Sequence, residues 1–232
     1  MLKTLWRWLW RSIALFVAVV LIYQLWIFAH IWWWVDHNPS TSAFMEQRLE
    51  VLQSKQPDAE LRHQWVPYNR ISNNLKRALI AAEDSKFLDH EGFDWESIQK
   101  AYEKNQKKGK LVAGGSTISQ QLAKNLFLSS RKVFWRKAEE AVITVMLEKM
   151  MSKRRILEVY LNVIEWGNGV FGAEAAARHY YKTSASSLSA EQAARLASMV
   201  PNPRYFDTHR NSRGLERKTG IILARMNQVQ AP

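Results

Sequence analysis

At 232 residues, the chain has about 190 left for one domain with a real core once an N-terminal apolar segment is set aside. It contains no cysteine, which excludes a disulfide framework and a thiolate metal site. The formal charge of +12 suits an anionic partner, whether phospholipid headgroups, a diphosphate or nucleic acid, and is equally compatible with a basic soluble surface.

Residues 13–35 carry no formal charge, and as a helix they span roughly 34 Å, the thickness of a bilayer core. Trp6, Trp8 and Trp10 on one side and Trp32, Trp33 and Trp34 on the other read as two interfacial belts. Lys3, Arg7 and Arg11 precede the run and Asp36 follows it, so the positive-inside rule keeps residues 1–12 in the cytoplasm and sends the rest outward. A cleaved signal peptide is the rival, but no small-x-small site follows. Residues 36–42 form a polar linker, and 43–232 the domain.

The spacing predicts a helix over 44–52, an extended segment at 65–68 around Pro67, and a helix capped by Ser72 with Leu75, Leu79 and Ala82 on one face. That helix delivers Glu83 at its C-terminal end, where the helix dipole disfavours a carboxylate and suits it to proton transfer. Asp94 caps the next helix, to about residue 105, and 104–110 is polar, basic and expected to be mobile. Gly114 and Gly115 precede Ser116, the expected N-cap of a helix through residue 126 with Ile118, Leu122 and Leu126 inward and Gln121, Lys124 and Asn125 on other faces. An apolar helix over 136–151 includes Glu140. Ser152 caps another, with Ile156, Leu157, Tyr160, Leu161 and Ile164 as its stripe. Gly167-Asn168-Gly169 turns into an Ala-rich helix near 173–181, Ser189 and Gln192 form a capping box, and 215–226 makes a last helix. Period-2 strands are nearly absent, so the fold class is mainly α behind a single transmembrane helix.

The stretch from Glu83 to Asp94 concentrates acids, a histidine and aromatics in a turn, which costs folding energy and is better explained by chemistry. Four motifs occur in order. They are Glu83-Asp84-x-x-Phe87-x-x-His90-x-Gly92; Gly114-Gly115-Ser116-Thr117-Ile118-x-Gln120-Gln121-x-x-Lys124-Asn125; Arg136-Lys137-x-x-Glu140; and Ser152-Lys153-x-x-Ile156-Leu157-Glu158-x-Tyr160-Leu161-Asn162. A fifth, around 192–203, fits more loosely. Together, from about Trp65 to Pro203, they resemble the signatures of the monofunctional peptidoglycan glycosyltransferases. The resemblance implies a lysozyme-like helical fold that polymerises lipid II into glycan strands on the outer, periplasmic face of the inner membrane. Other cell-wall synthases or divisome proteins are partners it allows; nucleic acid is not expected.

Joining a sugar hydroxyl to an anomeric carbon that bears a diphosphate needs a base and positive charge, and no strong acid for the leaving group. The resemblance makes Glu83 the base and Glu140 the second acid, acting on the leaving group or through a divalent cation, Mg²⁺ or Mn²⁺. It makes Asp84, Phe87, His90, Thr117, Gln121, Lys124, Asn125, Lys132 and Arg136 substrate-binding, Lys132 standing where arginine is common. Duller roles compete: Asp84 and His90 as loop fasteners, Phe87 as core, Thr117 as a cap neighbour, Lys124 and Arg136 as solvated charges. Glu139 rivals Glu140, but the Arg-Lys-x-x-Glu spacing selects Glu140. A glycan-cleaving lytic transglycosylase or muramidase, or a non-catalytic membrane scaffold, is the alternative reading. The six scattered histidines imply no zinc cluster.

Overall fold

A computed structural model describes residues 2–110, 114–128 and 134–232; Lys132, expected to bind substrate, and residues 111–113 lie outside the described residues. The chain forms two compact units, residues 1–38 and 39–232.

The first unit is α1 (Leu2–Trp34), one uninterrupted helix. It starts some ten residues before the expected span because 2–12 contains neither glycine nor proline and is rich in leucine and tryptophan, so nothing stops the helix early. It is long and apolar enough to cross a membrane, and most of its Leu, Val and Trp side chains are exposed. His30, a polar residue inside this run, pairs its Nδ1 with the Trp26 carbonyl at 2.8 Å, so that nitrogen is satisfied within the helix.

The second unit is mainly helical. It comprises α2 (Ala43–Gln53), α3 (Asn73–Glu83), α4 (Trp95–Lys108), α5 (Ile118–Phe127), α6 (Phe134–Met150), α7 (Lys153–Val163), α8 (Ala173–Tyr181), α9 (Ala190–Met199), α10 (Pro203–Thr208) and α11 (Arg213–Arg225). The expected caps hold at Ser72, Asp94, Ser152 and Ser189, whose hydroxyl or carboxylate oxygens accept from the backbone N–H of Leu75, Ser97, Arg155 and Gln192.

Two helix ends differ from expectation. α4 continues to Lys108, because its Lys and Gln residues are good helix formers, and stops at Gly109 in a left-handed conformation (φ 60°). The N-cap of α5 is Thr117, not Ser116. Only Thr117 has a glutamine three residues on, and Gln120 Oε1 accepts from Thr117 N–H at 3.0 Å while Thr117 Oγ1 accepts from Gln120 N–H at 3.2 Å.

A small sheet was not foreseen. β1 (Arg62–His63), β2 (Glu165–Gly167) and β3 (Val170–Phe171) lie in the order β1-β3-β2, with β1 parallel and β2 antiparallel to β3. Strands of two or three residues are too short to display a period of two.

The core lies where α3 and α11 pack on α9, and α5 on α6 and α7. Ala193, Ala194 and Ala197, all fully buried, let α9 approach its neighbours closely. The predicted inward faces hold: Ile118 and Leu122 on α5, and Ile156, Leu157, Tyr160 and Leu161 on α7, are fully buried, with Leu126 nearly so.

Candidate active site

Glu83 is the last residue of α3, half-buried, and Asp84 N–H closes the helix on Ile80 O at 2.9 Å. The next carboxylate ties this helix end to the start of α5: Ile118 N–H donates to Asp84 Oδ2 at 3.0 Å. His90 Nε2 donates to Asp84 Oδ1 at 3.0 Å, and Gly92 N–H donates to His90 Nδ1 at 3.1 Å, so the imidazole is the neutral Nε2–H tautomer. Asp84 is buried, with both oxygens engaged by protein groups, and His90 orients the loop through it. Gly92, at φ +91°, is required here, since a Cβ would stand 2.7 Å from Thr144 Cγ2.

One turn into α5, Gln121 Nε2 donates to Glu83 Oε2 at 3.0 Å. Tyr160, on α7, donates from its hydroxyl to Gln121 Oε1 at 2.7 Å. The amide oxygen can only accept, so the phenol fixes which end of Gln121 faces the carboxylate. Tyr160 is fully buried; desolvation first, and then the Glu83 and Asp84 charges, push its hydroxyl well above its usual range and keep it a donor. The sequence places Tyr160 in an apolar stripe and not in the site; the signal for its role is a lone tyrosine hydroxyl on an otherwise apolar helix face.

Two cavities flank the Glu83–Gln121 hydrogen bond. Glu83 lines one of about 150 Å³, with Asp94, Ser97 and the segment 114–117; Gln121, Lys124, Asn125 and Tyr160 line another of about 290 Å³. The first is shaped by Gly115, whose Cβ would stand 2.8 Å from Ile98 Cα, so the loop lies directly on α4. In the second, Glu165 is held between Arg204 Nε at 2.9 Å and Arg48 Nε at 3.5 Å. None of these three was named from the sequence, because the partners are distant in the chain and carry no local pattern.

The expected cations gather beside this second cavity. Lys124 is largely buried, and desolvation lowers its pKa; the Glu140 carboxylate opposes that shift, Arg136 and Lys137 add to it, and Glu83 opposes it more weakly. Glu140, Arg136 and Glu83 therefore all act on Lys124. Arg136 has a buried Nε with no hydrogen-bond partner among the described residues, an orphan donor beside the lysine. Glu140 is 3% exposed and ion-paired with Lys137, while Glu139 is half-exposed.

Other expected substrate residues are engaged elsewhere. Phe87 is fully buried, with the Lys153 ammonium 4.6 Å from its ring centroid, and so packs the core. Thr117 Oγ1 donates to Gly92 O at 2.6 Å besides capping α5, and Asn125 Nδ2 donates to Gln121 O at 2.7 Å. No group of three His, Asp or Glu able to hold a metal occurs among the described residues. Glu140 is nonetheless the type of single carboxylate that binds Mg²⁺ or Mn²⁺ jointly with phosphate oxygens.

A family model described as transglycosylase matches residues 49–227. A biosynthetic peptidoglycan transglycosylase of Methylobacillus flagellatus is 70% identical over 223 residues, covering 96% of this chain and 97% of that protein. Proteins of the same name from Laribacter hongkongensis and Thiobacillus denitrificans are 67% identical over 226 residues (97% and 99% covered) and 62% identical over 231 residues (100% of both).

Proposed function

The chain belongs to the transglycosylase family, and from that membership we propose that it is a peptidoglycan glycosyltransferase of cell-wall synthesis, polymerising lipid II into β-1,4-linked glycan with inversion and release of undecaprenyl diphosphate. The observation that carries the reading is the Glu83 carboxylate, aimed by Gln121 and Tyr160 and electrostatically coupled to Lys124.

Glu83 takes the proton of the acceptor sugar's 4-hydroxyl as its oxygen attacks the donor's anomeric carbon. The bond to the diphosphate breaks on the opposite face, which inverts the centre, and the electron pair leaves on diphosphate oxygen. Lys124 and Arg136, whose Nε has no partner among the described residues, meet that growing negative charge. Glu140, through Lys137 and Lys124, sets how strongly the pair holds the product anion. A Mg²⁺ or Mn²⁺ ion carried on the diphosphate would be held by Glu140 and, when bound, would shield the leaving oxygens. Glycan cleavage instead calls for a proton delivered to a glycosidic oxygen, for which these cations have no use.

Membrane anchoring by α1 follows from its length and apolarity, and we place its N-terminus in the cytoplasm, with the catalytic unit periplasmic at the inner membrane, from Lys3, Arg7 and Arg11. Lipid-linked substrates make that anchoring useful. Glu83→Gln, assayed with labelled lipid II in detergent, is expected to elongate at least about 100-fold more slowly. Wild-type product should be digestible by lysozyme. A Glu83→Gln protein that still polymerised at the wild-type rate would remove the base and the proposal with it.

A further inference from the structure

A third cavity, of about 350 Å³, shares no lining residue with the two beside Glu83 and Gln121. Arg62 and His63 of β1, with Gln64 just after it, close one side, and Arg178 and His179 of α8, with Lys182 just past its end, the other; no carboxylate lines it among the described residues. Of its three cations, only Arg178 is answered by an acid among the described residues, Glu174, at 2.7 Å. Arg62 Nη1 donates instead to a neutral ring nitrogen, His179 Nδ1, at 2.6 Å. His179 Nε2 donates to Asp207 Oδ1 at 3.1 Å, and the same oxygen also accepts from Arg210 and Tyr180, so Asp207 is consumed behind the cavity wall. Arg62 and Lys182 are both exposed, line the cavity, and have no ion-pair partner among the described residues.

Lys182 stands out for a second reason. It is the one non-glycine residue with positive φ (56°) among the described residues, at the helix-terminating position that ordinarily takes glycine or asparagine. Backbone strain accepted to keep an ammonium at a cavity rim is more simply explained by a ligand than by folding.

The cavity also adjoins the substrate cleft. Arg204 of α10 lines the 290 Å³ cavity, and Asp207, three residues on, about 4.5 Å along the same helix, orients His179 in this one. We propose that this cavity is a carboxylate-binding subsite for the peptide branches of the glycan strand, gripped by the Arg62 fork and Lys182; the assignment of the peptide source rests on the peptidoglycan reading above. A concave site with a planar guanidinium suits the two oxygens of a terminal carboxylate better than a flat lipid surface does.

The test is calorimetric titration of the detergent-solubilised full chain with N-acetylated pentaalanine, whose single charge is its terminal carboxylate, with its C-terminal amide, and with phosphatidylglycerol vesicles. Binding of the acid should weaken with salt and fall about tenfold in Arg62→Gln and in Lys182→Gly, and the amide should bind about tenfold more weakly than the acid. Lys182→Gly relieves the strained backbone, so its melting temperature should not fall, which separates lost binding from lost folding. No binding of the acid, equal binding of acid and amide, or unchanged affinity in Arg62→Gln and Lys182→Gly would overturn the proposal. So would variants that lose only vesicle binding. The titration involves no turnover: a Glu83→Gln protein that still polymerised would defeat the catalytic reading while leaving a carboxylate-dependent titration standing.

Discussion

Gln121 Nε2 lies 3.0 Å from Glu83 Oε2, and the other end of the same amide is held by the buried Tyr160 hydroxyl. A general base gains from such a partner because the donor fixes one carboxylate oxygen and leaves the second free to receive a proton. Removing the phenol leaves a buried amide oxygen without its donor and frees the amide to turn its oxygen toward the carboxylate, where the two repel. Tyr160→Phe is therefore expected to lower kcat about tenfold with KM little changed, and to cost on the order of 1–2 kcal/mol of stability. The acid limb of the pH–rate profile should move as well. A purely structural tyrosine would lower stability without moving that limb, so steady-state kinetics across pH separates the two roles.

The sequence made the helices legible because they are written in short-range chemistry. Ser72, Asp94, Ser152 and Ser189 each sit one residue before a helix and cap it with a side-chain oxygen, a signal written in adjacent residues. The gathering of Glu83, Gln121, Lys124, Arg136 and Glu140 was legible only through the motifs they occupy. Nothing local in Glu165 marks it as the partner of Arg48 and Arg204, and β1 to β3 owe their pairing to long-range contacts. Ser116 and Thr117 are both capable caps, and the choice fell to the reciprocal bond from Gln120, a tie that residue type alone does not break.

Arg136 is the cation whose geometry matters as much as its charge. Its Nε is buried without an acceptor among the described residues, and a lysine keeps the charge but loses the planar fork. Arg136→Lys should raise KM for lipid II by about tenfold, with a smaller fall in kcat. Thermal stability should not drop, since the substitution removes an unsatisfied buried donor. Initial-rate kinetics alongside a melting curve tests both halves.

Gly92 controls the loop that holds Asp84. A side chain at φ +91° is strained, and its Cβ would press against Thr144 Cγ2 at 2.7 Å, displacing the N–H that fixes His90. Gly92→Ala is expected to cost about 1–3 kcal/mol. Activity measured well below the new melting temperature should also fall, because the Asp84 link between α3 and α5 carries Glu83 toward Gln121. An alanine variant with wild-type melting temperature and rate would show that the loop has slack the geometry does not suggest.

Lys124 ties the cleft's chemistry to stability. Burial lowers its pKa from the ordinary 10.5, the neighbouring Arg136 and Lys137 add to the shift, and Glu140 and Glu83 only partly offset it. A lysine depressed in the folded state binds its proton less tightly there than in the unfolded chain. Below both values the protein therefore bears the full penalty of charging it, and stability from this group rises as pH climbs from the lowered folded value toward 10.5. Lys124→Met should abolish that rise and, at neutral pH, stabilise the protein on the order of 1 kcal/mol while abolishing polymerisation. In the wild type, diphosphate binding favours the ammonium, so affinity for the lipid-linked donor should weaken with rising pH earlier than an exposed lysine would dictate. Melting curves from pH 7 to 10 for both proteins check the first expectation: a Lys124→Met protein less stable than wild type at neutral pH would mean that attraction to Glu140 and Glu83 outweighs burial.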